Sequence, residues 1–171
     1  MKERLKTIID LEKYPIHDLN LKKIKELIKK CKSDLDQFSC ATIPKFILPK
    51  SLEIMNMELK KKIQEVYMSK KSINAYLYSK DDPTLPKDHP KRIFMDRDNG
   101  YLNSDVFSKN SEMKFLYEQD ELLNFISSCL GVSPIYRWAD PLACHAYNVM
   151  KPDGVLPWHF DRCEYTLSFM I

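Results

Sequence analysis

The chain has 171 residues, of which 44% are hydrophobic and 30% charged, and its formal net charge is +3. This composition predicts one soluble globular domain. Residues 1–71 carry most of the excess positive charge, but their lysines are spaced as on a solvated helix face and no aromatic residues interleave with them, so nucleic-acid binding is not predicted.

The sequence contains no apolar stretch of transmembrane length, and its first residues are charged where a signal peptide needs an apolar run. We therefore expect a cytoplasmic protein with no membrane partner. Five scattered cysteines without Cys-x-x-Cys spacing predict free thiols in a reducing compartment, not a disulfide framework or a zinc site.

Apolar residues recur at helical spacing in three N-terminal segments, at about residues 1–13, 21–31 and 52–67. Asp18 or Asn20 is predicted to cap the second of these helices, because short polar side chains are favoured at that position. These segments predict a helical N-terminal part over residues 1–70.

The stretch 38–48, between the second and third helices, is apolar and contains Pro44, so it predicts an edge strand or an extended linker. Residues 72–78 and 100–107 predict strands on either side of a long polar loop. That loop contains His89 next to proline, and we interpret it as a surface turn in preference to a metal ligand.

Residues 111–130 predict a long helix with a restart near its middle, ended by Gly131. Strands are predicted at 134–138 and 143–150, and the turn 151–154 leads into the last segment. Helices followed by β-hairpins favour an α+β fold, with the helices packed on an antiparallel sheet or barrel.

Cys144 and His145 are adjacent, so a Cys/His hydrolase dyad has to be weighed. If these residues lie in the predicted strand, their side chains point to opposite faces and the geometry is poor. His145 is also a candidate metal ligand beside His159, but no acidic residue lies two positions from it, so we interpret it as structural.

The last segment opens with a His-x-Asp pair, His159 and Asp161. In an extended strand these two side chains point to the same side and Phe160 to the other. An imidazole and a carboxylate are two of the three ligands of a 2-His-1-carboxylate iron(II) site. A lone pair of this kind arises by chance, but a hairpin before it and an apolar, β-rich segment after it favour a metal site.

The wider pattern around this pair resembles the double-stranded β-helix iron(II)/2-oxoglutarate oxygenases, through Tyr147, Gly154, His159-x-Asp161 and Thr166-Leu167. Within that superfamily it looks like the branch of free-amino-acid halogenases and related hydroxylases, through the loop around Asp88-His89-Pro90, Trp138-Ala139-Asp140-Pro141 and Asn148-Val149-Met150. The resemblance covers roughly residues 70–171. It implies N-terminal helices packed on a jelly-roll core that begins near residue 71 and is incomplete at the C-terminus.

The resemblance also implies an activity and a set of ligands. Fe(II), 2-oxoglutarate and O2 would hydroxylate an unactivated C–H bond of a small substrate, with a free amino acid suggested by the branch. His159 and Asp161 would bind the metal. The halogenases have glycine at the position of Asp161, so the carboxylate favours hydroxylation.

Four further residues have expected roles with structural alternatives beside them. Tyr147 and Thr166 would contact 2-oxoglutarate, although a core tyrosine and a β-branched strand residue explain them as well. Asn148 faces the opposite side from Tyr147, so at most one of these two lines the site. Trp138 and Asp140 would contact a substrate amine, although a buried tryptophan and a turn-forming Asp-Pro explain them nearly as well.

The family also needs a distal histidine and an arginine for the far carboxylate of 2-oxoglutarate. The chain stops at Ile171 inside an apolar segment, and we expect it to be the N-terminal part of an oxygenase and an inactive fragment. A non-catalytic double-stranded β-helix binding protein and a cupin-like metal enzyme completed by dimerisation are the alternatives. The sequence does not specify the substrate, the regiochemistry or the oligomeric state.

Overall fold

The computed structural model describes residues 2–161 and 163–171. Within these residues it contains five α-helices and one three-stranded antiparallel sheet, so the predicted α+β class is confirmed. The chain divides into two compact units. The helical unit comprises residues 2–61 and 107–145 with Ile171, and the sheet unit comprises the described residues of 62–106 and 146–170. The single-domain organisation stays a prediction.

The helices lie close to where apolar periodicity placed them. They are α1 (Lys2–Ile8), α2 (Lys22–Phe38), α3 (Pro49–Lys61), α4 (Glu112–Tyr117) and α5 (Asp120–Leu130). In the described part of the chain no helix is long and apolar enough to cross a membrane. The restart in the fourth predicted helix is real, since α4 ends two residues before α5 begins.

The helical unit is held by a core of fully buried apolar side chains. Its best-buried members come from four helices and the loop after α1, and they are Leu5, Ile8, Ile9, Ile16, Ile24, Met55 and Leu116. Removing such side chains from water is the main favourable contribution to folding. The segment 39–48 contains one isolated bridge, from Ile47 to Ile9, and is otherwise an irregular linker.

The predicted N-cap of α2 is wrong, whereas the predicted end of α5 at Gly131 is confirmed. Leu21 occupies the N-cap position of α2 without a side-chain hydrogen bond, because the Asp18 carboxylate accepts the Asn20 N–H at 3.0 Å in a turn of its own. At the other end of the unit, Gly131 closes α5 in the left-handed conformation with φ of 71°, as predicted. Ser111 caps α4 by accepting the N–H of Lys114.

The sheet unit is built around a central strand. The strands are β1 (Tyr67–Asn74), β2 (Phe94–Leu102) and β3 (Tyr147–Val149), in the order β1-β2-β3, with both neighbours antiparallel to β2. Three short 3-10 turns precede or follow these strands, at Ile63–Glu65, Pro90–Arg92 and Ser104–Val106.

The first two strands begin about five residues earlier than predicted. Asn74 ends β1, because its side-chain oxygen accepts the N–H groups of Tyr76 and Tyr78, at 3.0 and 3.1 Å, and turns the chain. A search for alternating apolar residues misses β1 because its sequence is polar. Most of its residues pair with β2 without being deeply buried.

The C-terminal strands are shorter or absent in the described residues. The predicted strand at 134–138 is irregular, the one at 143–150 is reduced to β3, and residues 163–171 contain no strand. After the turn 151–154, only Val155 returns to the sheet. The sequence had the strand-forming residue types in these segments, but a strand also needs a partner edge.

We predict that Gly154→Ala destabilises the sheet unit by about 1–3 kcal/mol. A Cβ at this position would lie 2.9 Å from the Lys151 carbonyl oxygen and 3.0 Å from that of Asp98, and both atoms belong to the backbone. Urea unfolding would measure the loss, and hydrogen exchange would show faster exchange of the Asp98 and Val155 amides. The exposed control Lys151→Ala should stay within about 0.5 kcal/mol of the parent chain.

Candidate functional site

The His-x-Asp segment is positioned by hydrogen bonds to the central strand. The turn after β3 closes with the Gly154 N–H donating to the Lys151 carbonyl at 2.9 Å. Val155 then exchanges two backbone hydrogen bonds with Asp98 of β2, of 2.7 and 2.8 Å. Pro157 is buried two residues later, so the chain enters the site from a fixed direction.

Side chains alternate across the segment, although it forms no strand. Trp158 and Phe160 contact each other edge to face with ring centroids 4.7 Å apart, and Phe160 also contacts Tyr76 at 5.2 Å. The Phe160 N–H donates to the Ala75 carbonyl at 2.9 Å, which holds this side against the end of β1. The opposite side is left to residues 159 and 161, as predicted from the period of two.

The His159 ring is oriented by the backbone. Its Nδ1 lies 2.8 Å from the carbonyl oxygen of Pro157. A carbonyl oxygen can only accept, so we infer that Nδ1 carries the proton. In the neutral ring the lone pair is then on Nε2, which lies 3.4 Å from Oδ1 of Asp161.

The Asp161 carboxylate is held at its other oxygen. The Thr166 hydroxyl donates to Oδ2 at 2.6 Å, and the Cys163 sulfur lies 3.3 Å from the same hydroxyl. Oδ1 thus faces His159 while Oδ2 is occupied by Thr166. The predicted neighbourhood of Thr166 with the site is present in the structure, but its partner is the carboxylate.

The pair has two chemical states. With a second proton on the ring, His159 and Asp161 form an ion pair, whose side chains are 22% and 46% exposed and which contributes little to stability. With the neutral ring, two electron-pair donors face each other at 3.4 Å, an arrangement that a bridging water or a shared cation would stabilise. In this second state both atoms would be available to a metal ion.

The geometry of the pair fits two positions on one ion. Two ligand atoms about 2.1 Å from a small octahedral ion, at right angles, lie about 3 Å apart, close to the observed 3.4 Å. Hydrogen bonds to the far atom of each ligand are typical of protein metal sites. Across residues 2–161 and 163–171, no group of three or more His, Cys, Asp or Glu side chains is arranged to hold a metal.

Tyr147 and Asn148 lie on opposite faces of β3, as predicted. Tyr147 is buried and pairs in register with Leu102, whereas Asn148 is exposed and its side-chain oxygen lies 3.3 Å from the amide nitrogen of Asn99. Only Tyr147 therefore points into the sheet unit. Its contact with 2-oxoglutarate stays a prediction.

Trp138 and Asp140 belong to the helical unit. The Trp138 side chain is exposed, which differs from the buried tryptophan that we considered, and its carbonyl accepts the Tyr117 hydroxyl at 3.1 Å. Asp140 makes the expected turn, since its carboxylate accepts the Leu142 N–H at 2.9 Å. A substrate role for the two residues stays a prediction.

The predictions for His89 and for the Cys144–His145 contact have opposite outcomes. His89 lies in the expected turn, where its ring nitrogen accepts the N–H of Lys91. The argument against a Cys144–His145 contact was wrong, because residues 141–145 form a turn and not a strand, and Sγ of Cys144 lies 3.1 Å from Nδ1 of His145.

Sequence reasoning missed the supporting contacts of the pair. The Pro157 carbonyl and the ring of Tyr76 have no sequence signal, because one is a backbone group and the other is brought in by the turn at Asn74.

No family model, no curated protein and no solved structure matches the chain.

We predict that Thr166→Val weakens divalent metal binding at the pair about tenfold, because loss of a hydrogen bond to a ligating carboxylate typically costs 10–100-fold in affinity. Titration of the 171-residue chain with Mn(II), followed by paramagnetic broadening of the His159 ring resonances, measures the midpoint. The matched control is Thr84→Val, which removes a hydroxyl–carboxylate contact of 2.5 Å to Asp82. An equal effect of both substitutions, or broadening that spares His159, would contradict the assignment.

Proposed function

We propose that the chain is part of an iron(II)/2-oxoglutarate-dependent oxygenase of the hydroxylase type. The observation that carries the proposal is the His159–Asp161 pair, whose donor atoms face each other at 3.4 Å while Pro157 and Thr166 hold the far atoms. The antiparallel sheet, with the pair following its third strand, would be the start of a jelly-roll core.

Each residue has a defined task in this proposal. His159 Nε2 and Asp161 Oδ1 would hold Fe(II), which with 2-oxoglutarate and O2 supplies the oxidising power for C–H hydroxylation. Thr166 would orient the carboxylate through its 2.6 Å hydrogen bond, and Pro157 would keep the ring in the tautomer that leaves Nε2 unprotonated. Tyr147 would bind the 2-oxoglutarate carboxylate.

The aromatic side of the segment favours precise placement of the pair. Phe160 is held between Trp158 and Tyr76 and by its hydrogen bond to Ala75, which limits rotation of the backbone between His159 and Asp161. A metal pair needs such support, because ligands that are a fraction of an ångström out of place bind poorly.

The carboxylate distinguishes two reactions within the branch. Asp161 would fill a coordination position that the halogenases leave to chloride, so hydroxylation is the proposed outcome. The proposed substrate is a small molecule such as a free amino acid.

In this proposal turnover also requires a second histidine and an arginine for the far carboxylate of 2-oxoglutarate, whereas His159 and Asp161 alone would bind Fe(II) weakly. In the family that the chain resembles, this histidine and this arginine follow the segment after the His-x-Asp pair.

We predict that anaerobic Fe(II) and 2-oxoglutarate together produce a weak visible charge-transfer band with this chain, and that Asp161→Asn abolishes it. The amide lacks the negative charge that an iron ligand supplies at this position. The matched control is Asp153→Asn in the nearby turn, where φ is 64° and asparagine is well tolerated, and it should keep the band.

Two outcomes would contradict the oxygenase. If Mn(II) broadens His159 but 2-oxoglutarate yields no band with Fe(II), the pair belongs to another kind of metal site. A metal-dependent dimer in solution would then identify the cupin-like enzyme completed by dimerisation. If neither metal binds, the pair is an ion pair, and a non-catalytic binding protein becomes the better interpretation.

A further inference from the structure

A turn in the helical unit brings a thiol against an imidazole. Asp140 begins this turn, accepting the Leu142 N–H with its carboxylate and the Ala143 N–H with its carbonyl, at 2.9 and 3.2 Å. The turn folds the Cys144 side chain back onto its neighbour, so that Sγ lies 3.1 Å from Nδ1 of His145. This is hydrogen-bonding distance for a thiol and an imidazole nitrogen.

The imidazole lies in an apolar environment. His145 is 8% exposed, and its ring contacts those of Phe107 and Tyr117, with centroids 6.5 and 5.7 Å away. Burial lowers the pKa of His145, the positive charge of Lys114 lowers it further, and Glu118 acts in the opposite direction. The ring is therefore neutral near pH 7, with one nitrogen able to accept a proton.

The second ring nitrogen has an unusual environment. Nε2 of His145 is buried and has no hydrogen-bond partner among the described residues. If Nδ1 accepts the thiol hydrogen, Nε2 carries the ring proton, and a buried N–H without an acceptor destabilises the fold. Histidine is thus a poor choice here for stability alone, which favours a role for its chemistry.

The other cysteines have different surroundings. Cys31 and Cys129 are buried against each other between α2 and α5, Cys40 is exposed, and Cys163 contacts Thr166. Within residues 2–161 and 163–171, only Cys144 combines partial exposure with an imidazole nitrogen at hydrogen-bonding distance.

We propose that Cys144 and His145 form a thiol–imidazole dyad in which Cys144 is a nucleophile towards low-molecular-weight disulfides. His145 Nδ1 takes the thiol proton, and the Cys144 thiolate attacks one sulfur of the disulfide. A new S–S bond forms to Cys144 and the S–S bond of the reagent breaks. The departing thiolate takes up the proton, so Cys144 is oxidised and one reagent sulfur is reduced.

Disulfide exchange suits the site better than acyl transfer. Acyl transfer needs donors aimed at a developing oxyanion, and the Tyr117 hydroxyl donates to the Trp138 carbonyl instead. Thiol–disulfide exchange needs access to the sulfur and removal of its proton, and Nδ1 of His145 lies 3.1 Å from Sγ, where it can accept that proton as general base. Cys144 is itself partly exposed, which leaves it accessible to a small reagent.

We predict that glutathione disulfide forms a mixed disulfide at Cys144 at least about tenfold faster than at Cys40 in the same native chain, because Nδ1 of His145 can accept the Cys144 thiol proton as general base. Mass spectrometry of the peptides gives both rates from one sample, so Cys40 is an internal reference. His145→Asn keeps an acceptor near the Nδ1 position but cannot take a proton. It should lower the Cys144 rate to that of Cys40 and leave Cys40 unchanged.

The wild-type ratio tests the dyad without any variant. Equal rates at Cys144 and Cys40 in the native chain would overturn the proposal, and so would a ratio that persists in denaturant, where the turn is lost. If His145→Asn does not fold, His145→Gln replaces it, and an unchanged Cys144 rate in either folded variant also overturns the proposal. None of these measurements involves the metal-binding pair.

Discussion

The sheet unit depends on β2, because every other strand segment of the unit hydrogen-bonds to it. β1 pairs along its whole length on one side, while β3 and then Val155 pair on the other. The two hydrogen bonds between Asp98 and Val155 are the last backbone contacts with the sheet before the His-x-Asp segment. Position and direction of His159 and Asp161 are therefore set by a strand more than fifty residues earlier in the chain.

The hydrogen bonds at His159 Nδ1 and Asp161 Oδ2 distinguish the His159–Asp161 pair from an ordinary surface ion pair. A partly exposed ion pair gains little from holding its two side chains still, because water screens the attraction and side-chain entropy opposes it. Here the ring is fixed through Pro157 and the carboxylate through Thr166, and both leave the facing atoms available. Such support leaves Nε2 and Oδ1 facing each other, and it is the observation on which the proposed metal site rests.

The helices were predictable because their burial follows a local period. Four of the helices have apolar residues at helical spacing, and one such residue in each is fully buried: Leu5, Ile24, Met55 and Leu116. Predicting these helices needed no knowledge of distant contacts. The strands were harder to predict. The sequence of β1 is polar, so this strand is recognisable only through its pairing with β2, and it ends where the Asn74 side chain turns the chain. The side of the chain on which His159 and Asp161 lie was predicted correctly because alternation is also local.

The prediction that Cys144 and His145 point to opposite faces of a strand failed because it used local information where the fold depends on non-local pairing. Apolar and β-branched residues at 143–150 indicated a strand, and a strand would separate neighbouring side chains. β2 ends at Leu102, which pairs with Tyr147, so the residues before Tyr147 have no partner on this strand and turn instead. The contact between the Cys144 thiol and the His145 imidazole therefore depends on where the sheet ends. An argument from residue types alone could not predict it.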